Sequence, residues 1–322
     1  MDRIIGLAGS GYWGRNILRN LHGMGALHTV CDSNPGVLDE FREKYSSADY
    51  TLSFQEMLDN RDIKGIVLAT PAVTHFDLAS RAISAGKDVM VEKPLALDIS
   101  SGSRLADLAA REKRVLMVGH ILQYHPAVLK LREMVSSGVL GEIYYIYSNR
   151  LNIGRIRTEE NVLWSFAPHD ISVAILMAGS EPVDVSATGG AFLNGEIQDS
   201  VIISLGFPGN VKGHVFVSWL NPFKEQKLVL TGSKAMAVFD DTSVEKLFLY
   251  PHRIDVREGK VPVVMKAECQ PVAVESGEPL RSELEHFIDC IRTRKTPRTD
   301  AREGLRVLKV LSRAEESLSK QF

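Results

Sequence analysis

Cysteine is scarce. The 322 residues hold three, Cys31, Cys269 and Cys290, with no CxxC pair and no even framework. That excludes a disulfide scaffold and a cysteine-built zinc site, and it makes a reducing cytoplasm the expected compartment. Long apolar runs are also missing, so nothing approaches the roughly 20 residues that a bilayer-spanning helix needs. The opening residues, MDRIIGLAGSGYWG, have neither the basic start nor the cleavage site of a secretory leader. Net charge is close to absent, at −2, which gives no reason to expect a nucleic acid or an anionic membrane as partner. No internal repeat or low-complexity tract stands out.

What remains is the balance of an ordinary globular chain, 44% hydrophobic and 24% charged. Its length suggests two domains. The first half alternates short apolar runs with helical spacings. Strand candidates are residues 3–8, Leu27–Cys31, Gly65–Ala69, Val89–Val91 and Val115–Val118. Helical stretches between them carry Ile17, Leu18 and Leu21, then Leu38 and Phe41, then Ala79, Ala82 and Ile83, then Leu105 and Leu108. Repeated strand–helix units of this length imply a parallel sheet with right-handed crossovers. The expectation is an α/β Rossmann domain over residues 1–120 and an α+β domain over 121–322 with a mostly antiparallel open sheet.

The first strand candidate runs into Gly9-Ser10-Gly11-Tyr12-Trp13-Gly14, and a helix follows. GxGxxG alone is a weak signal. Here it sits between strand and helix, with Asp32 at roughly the 20-residue spacing of the dinucleotide fingerprint. Gly9 permits the tight turn, Gly11 lets the backbone approach a pyrophosphate, and Gly14 lets helix and strand pack closely. The helix start offers N–H groups to phosphate, with Tyr12 and Trp13 beside it. Asp32 would hold the ribose hydroxyls and repel a 2′-phosphate, so NAD is expected over NADP. Ligands of open parallel sheets lie beyond the carboxyl ends of the strands. That rim gathers Thr70-Pro71, His75, Glu92-Lys93 and Gly119-His120. Two charges at the mouth of the strand Val89–Val91 need a reason, because unpaired buried charge is costly. A lysine set beside a bound cofactor supplies one.

The second half opens with a helix from Pro126 and continues as strand candidates over 142–148, 183–193, 198–207, 211–220, 226–231 and 235–239. Helices Leu280–Arg292 and Ala301–Leu318 finish it. Between the strand candidates 142–148 and 183–193, Asn149–Phe166, NRLNIGRIRTEENVLWSF, reads as one irregular segment dense in Arg150, Arg155, Arg157, Asn152, Asn161 and Trp164. Such a segment suits a phosphate-bearing or hydroxyl-rich ligand. The alternative reading is an exposed loop with Glu159 and Glu160 as partners of the arginines. His120 and His125 match no metal spacing, and no metal site is expected.

The strand–GSGYWG–helix start, the ATPAVTH stretch and the EKPLAL stretch together resemble the Gfo/Idh/MocA oxidoreductases, over essentially the whole chain. The resemblance implies an NAD-dependent sugar or cyclitol dehydrogenase. It makes Lys93 a contact of both cofactor and substrate, His169 the partner in proton transfer, and Gln123 a cofactor-side residue. Family members often carry an acid four residues before that histidine, where this chain has Ser165. Asp170 is then a possible orienting partner of His169. The loop resembles those of members acting on UDP-linked N-acetyl sugars. On that basis Asn152, Arg155, Arg157 and Trp164 are expected substrate contacts, and C3 of UDP-N-acetylglucosamine is the expected position of oxidation. A UDP-GlcNAc uronic acid, myo-inositol, or a non-catalytic NAD sensor are the competing expectations. Members often pair through the sheet of the second domain, so a homodimer or homotetramer is expected. Histidine is near-ready as a base at neutral pH, whereas lysine would need a large downward shift. His169 as base with Lys93 polarising the hydroxyl is therefore the cheaper assignment.

Overall fold

Strands β1 (Ile5–Ala8), β2 (Leu27–Cys31), β3 (Asp49–Thr51), β4 (Gly65–Leu68), β5 (Asp88–Glu92) and β6 (Leu116–Gly119) form the first sheet in the computed structural model, which describes residues 2–154, 156–255 and 261–320. Between them run α1 (Gly14–Gly23), α2 (Pro35–Arg42), α3 (Phe54–Asp59), α4 (His75–Ser84) and α5 (Ile99–Arg111). All neighbours pair in parallel in the order β3-β2-β1-β4-β5-β6. This is the doubly wound order with its switch point between β1 and β4. Every residue of β1, β4, β5 and β6 is buried, as helices on both faces require. Leu68, Val91, Val118, Leu95, Leu105 and Ile83 belong to one core cluster.

Local chemistry starts the helices. Asn34 caps α2 by accepting from Gly36 N at 3.0 Å, with Pro35 at the first helical position. Asp98 caps α5 by accepting from Ser101 N at 2.8 Å. The third strand of the sheet, β3, and its helix α3 have no counterpart among the sequence expectations. Both are short, and β3 is polar.

The next part of the chain holds α6 (Pro126–Ser136), β7 (Ile143–Ile153), α7 (Val162–Ala178), β8 (Asp184–Gly190), β9 (Ser200–Gly206), β10 (Lys212–Ser218), β11 (Leu220–Gly232), β12 (Met236–Asp240), β13 (Leu247–Tyr250), β14 (Arg253–Asp255), β15 (Val263–Met265) and β16 (Gln270–Pro271). Eight of these strands make a sheet in the order β16-β13-β12-β11-β7-β10-β9-β8. All its pairs are antiparallel except β7 with β10. Helix α7 packs on one face, against β7, β9 and β10. It is buried almost all round, and its end is set by Gly179 in the left-handed region at φ 68°.

Two helices close the chain, α8 (Pro279–Thr293) and α9 (Ala301–Ser319). The chain forms two compact units. One runs through Ile121 and resumes over Glu278–Leu308; the other spans Leu122–Gly277 and everything from Lys309. The sequence expectation assigned all of 121–322 to the second domain. The return of Glu278–Leu308 follows from packing. A Cβ on Gly65 would stand 2.5 Å from Ile291 Cδ1, so α8 seats directly on β4. Arg294 pairs with buried Asp88 at 2.6 Å, and Thr299 O accepts from Val118 N at 2.8 Å.

Candidate functional site

The glycine turn of the first unit has the shape its sequence demands. Gly9 stands at φ +88°, where a Cβ would also press on Ala69 O at 2.6 Å. A Cβ on Gly14 would collide with Gly9 O, while one on Gly11 would meet nothing within 4 Å. The turn is thus closed on its inner side and open at Gly11, the position at which this motif type lets a pyrophosphate approach the backbone. Asp32, at the end of β2, holds the turn. Its Oδ2 accepts from Ser10 N at 2.8 Å and Ser10 Oγ at 3.1 Å, and its Oδ1 accepts from Asn34 N at 3.0 Å. Tyr12 is exposed. These residues fit a dinucleotide.

Trp13 does something the motif does not announce. Its indole Nε1 donates to Glu92 Oε1 at 2.6 Å, tying the glycine turn to the end of β5. Glu92 is 9% exposed. A Cβ on Gly119 would come within 2.8 Å of Glu92 Oε2, so only glycine at the end of β6 leaves room for this carboxylate. Burial pushes the Glu92 carboxyl above its usual range, against the opposing pull of Trp13, Lys93 and His120.

Thr70 and Pro71 follow β4. His75, expected at the cofactor rim, is 1% exposed and faces two backbone carbonyls, Pro94 O at 2.8 Å from Nδ1 and Thr70 O at 3.0 Å from Nε2. It clamps the turn after Lys93 to the turn after β4. Burial lowers its basicity, and the two carbonyls oppose that.

In the second unit, Gln123 is 2% exposed and its amide donates to Ser172 Oγ on α7 at 2.7 Å. His169 is half-buried in the middle of α7. Asp170 is spoken for. Its Oδ2 accepts from Arg150 Nε at 2.5 Å and its Oδ1 from Ser148 Oγ at 2.5 Å. The expectation that it orients His169 gives way to an anchor between α7 and β7.

The supposed loop Asn149–Phe166 is mostly regular, a correction to the sequence reading. Asn149–Ile153 continue β7, and Val162–Phe166 open α7. Asn161 caps that helix by accepting from Trp164 N at 3.2 Å. Trp164 donates to Glu315 Oε2 on α9 at 3.0 Å. Arg157 makes a partly exposed pair with Glu160 at 3.0 Å, the partner the loop reading had offered. Asn152 Oδ1 is buried with no hydrogen-bond partner in the described structure. Arg155 lies outside the described residues.

Sequence reasoning passed over two buried acids, Glu303 and Glu283. His120 Nδ1 lies 2.5 Å from Glu303 Oε2, both nearly fully buried, and Glu283 on α8 is 0% exposed. A signal for the acids existed. Glu283 falls on the stripe of Leu280, Leu284, Phe287 and Ile291, and Glu303 on that of Val307, Val310 and Leu311, where carboxylates are out of place. Among the described residues no cluster of three or more His, Cys, Asp or Glu could hold a metal ion, and no helix is long and apolar enough to cross a membrane.

A doubly wound sheet with this glycine turn, followed by an open mixed sheet, defines a dinucleotide-dependent oxidoreductase of two-unit type. The chain belongs to the Gfo/Idh/MocA family. The model for the "Oxidoreductase family, NAD-binding Rossmann fold" matches residues 4–120, and that for the "GFO/IDH/MocA C-terminal domain" matches 128–238. NAD is its cofactor. A UDP-N-acetylglucosamine 3-dehydrogenase of Acidithiobacillus ferrooxidans is 27% identical over 94% of this chain and 93% of its own. Its solved structure superposes with a TM-score of 0.87 over 98% of this chain and 97% of that one, at 24% identity. A scyllo-inositol 2-dehydrogenase (NAD(+)) of Bacillus subtilis is 22% identical over 91% of this chain and 86% of its own.

Proposed function

We propose that the protein oxidises a ring hydroxyl of a UDP-linked N-acetylhexosamine, at C3 of UDP-N-acetylglucosamine, to the 3-keto sugar. The observation that carries this reading is similarity along nearly the whole length to the UDP-N-acetylglucosamine 3-dehydrogenase. NAD, which the glycine turn of residues 9–14 and Asp32 would hold, would supply a hydride acceptor for the carbinol carbon. His169 takes the hydroxyl proton and Lys93 polarises and positions the oxygen. Asn152 and Trp164 contribute to the sugar subsite. Arg155 and Arg157 are the arginines assigned to the diphosphate, Arg157 by exchanging its Glu160 partner, since an exposed pair is worth only about 0–1 kcal/mol. Arg150 is not available for this, being committed to Asp170.

The inositol dehydrogenase relative supports a second substrate class. The two separate in one assay. The protein is incubated with NAD and, in turn, UDP-GlcNAc, UDP-GlcNAc uronic acid and myo-inositol, and NADH is followed. Formation of NADH with UDP-GlcNAc alone is the expected result. Turnover of myo-inositol with none of UDP-GlcNAc overturns the nucleotide-sugar reading. Thermal stabilisation by NAD without turnover of any of the three points to a sensor.

A homo-oligomer built on the open face of the second sheet belongs to the same reading. On that face β-strand alternation lines up Ser204, His214, Tyr147, Val229, Val238 and Phe248 across five registers. The rings of Tyr147 and His214 stack, with centroids 5.1 Å apart and planes 4° from parallel. Such a row on the face opposite α7 fits burial against a second copy. Tyr147→Glu is expected to shift the light-scattering mass to that of a monomer with unchanged circular dichroism; an unchanged mass removes this surface from the interface. The reading places the protein in the cytoplasm, in keeping with three free cysteines, of which Cys31 and Cys290 are buried.

A further inference from the structure

Glu283 is the most anomalous side chain of the first unit. It is 0% exposed, and neither carboxyl oxygen has a hydrogen-bond partner among the described residues. Native proteins seldom leave a buried polar group in that state without a functional reason. The charged groups that bear on it are also acids, Glu92 at the end of β5 and Glu303 on α9. Glu303 in turn lies against His120. Lys93 and His120 also act on Glu92, and Trp13 donates to it from the glycine turn. His286, one turn further along α8, has Arg298 and Asp289 as its charged neighbours.

Glu283 lies fully buried with no hydrogen bond among the described residues, and two further carboxyl groups act on it. An unpaired buried charge is too costly, and like charges at close quarters raise each other's proton affinity. The group with no hydrogen bond to favour its anion is the one that stays protonated. Burial first, and then Glu92 and Glu303, push the Glu283 carboxyl well above the usual carboxylate range. Because nothing else fastens that proton, its retention follows the charge placed near Glu92. An oxidised nicotinamide, positively charged and seated beyond the strand ends, adds one positive charge on that side. The reduced ring adds none.

We propose that Glu283, with Glu92, Glu303 and His120, is a proton store that releases a proton when NAD⁺ binds and keeps it when NADH binds. The store then balances the redox step. An alcohol loses a C–H bond as hydride and an O–H proton, a C=O bond forms, and the two electrons leave with the hydride. The oxidised ring's charge disappears as this happens, so the carboxylate set can take up the proton that the hydroxyl gave to the base. Reaction within the site releases no proton; release belongs to NAD⁺ binding. By linkage, NAD⁺ must bind more tightly as pH rises, by at most about tenfold per unit for one proton, while NADH affinity stays flat.

The test needs no sugar, so failure of the substrate assignment leaves it intact. Binding of NAD⁺ and of NADH to the intact protein is measured by titration calorimetry near neutral pH in two buffers of different ionisation enthalpy. The difference in heat counts protons. Up to one proton released with NAD⁺ and none with NADH is the expected result. E283Q keeps the shape of the neutral acid but has no proton to give, so its NAD⁺ binding should show no buffer-dependent heat and no pH slope. Equal proton counts for the two cofactor forms in the wild-type protein overturn the proposal, whether or not the variant folds. Unchanged release in a folded E283Q overturns the role of Glu283.

Discussion

Lys93→Ala and His169→Ala are each expected to lower kcat with UDP-GlcNAc by about 10²–10⁴, the range of a positioned proton-transfer group. NAD affinity should change by no more than a few-fold in either. In the proposed reading the dinucleotide is fastened elsewhere, at Asp32 and at the glycine turn, which is open at Gly11. The two residues act on one hydroxyl in the proposed chemistry, one removing its proton and the other stabilising the oxygen that loses it. Their losses should therefore not add, and the double variant should be little worse than the more damaged single one. His169→Ala should also remove the acidic limb of the kcat/KM profile, which an imidazole base creates as it protonates. Near-normal turnover in either variant takes that residue out of the mechanism. Parallel loss of NAD binding and turnover would mean that the residue holds the cofactor rather than the reacting oxygen.

The parts of this protein that were legible in its sequence share one property: their meaning is local. A parallel sheet covered on both faces must be written as short apolar runs, so β1, β2, β4, β5 and β6 stood out. The glycine turn stood out because only glycine fits at Gly9 and Gly14. Helix α7 did not stand out. It is buried nearly all round, so it carries no amphipathic period to find. Arg150 and Asn152 looked like loop residues because β-strands seldom contain them, yet β7 runs through both. Arg150 tolerates that place only through Asp170, which is twenty residues away in the chain. The return of α8 to the first sheet, and with it the meeting of Glu283, Glu303 and Glu92, depends on contacts that no local spacing records. His75 shows the converse. The ATPAVTH stretch left it either at the cofactor rim or in a structural position at the helix start, and the ring ties Thr70 to Pro94.

Asp170→Ala is expected to destabilise the second unit by about 3–5 kcal/mol, the cost of removing one partner from a buried ion pair. The carboxylate is 3% exposed and the Arg150 side chain 15%. Without Asp170 the guanidinium keeps Gln226, whose oxygen accepts from Nη1 at 3.1 Å once its amide is turned over to satisfy both its atoms, but loses its only ion-pair partner among the described residues. Ser148, 3% exposed, loses one of its two acceptors and keeps Lys227 O at 3.0 Å. At roughly 2–4 °C per kcal/mol for a unit of this size, thermal unfolding should move down by on the order of 10 °C. The paired variant Arg150→Met with Asp170→Ala should recover much of the loss, because it removes the stranded charge. These outcomes separate the two roles that the residue next to His169 could have. An anchor loses stability first, and turnover per folded molecule falls only as far as α7 shifts. An orienting acid for His169 would lose turnover at nearly unchanged stability. A melting point within a degree or two of wild type for Asp170→Ala, with kcat sharply reduced, would return Asp170 to the catalytic apparatus and leave the Arg150 contact a bystander.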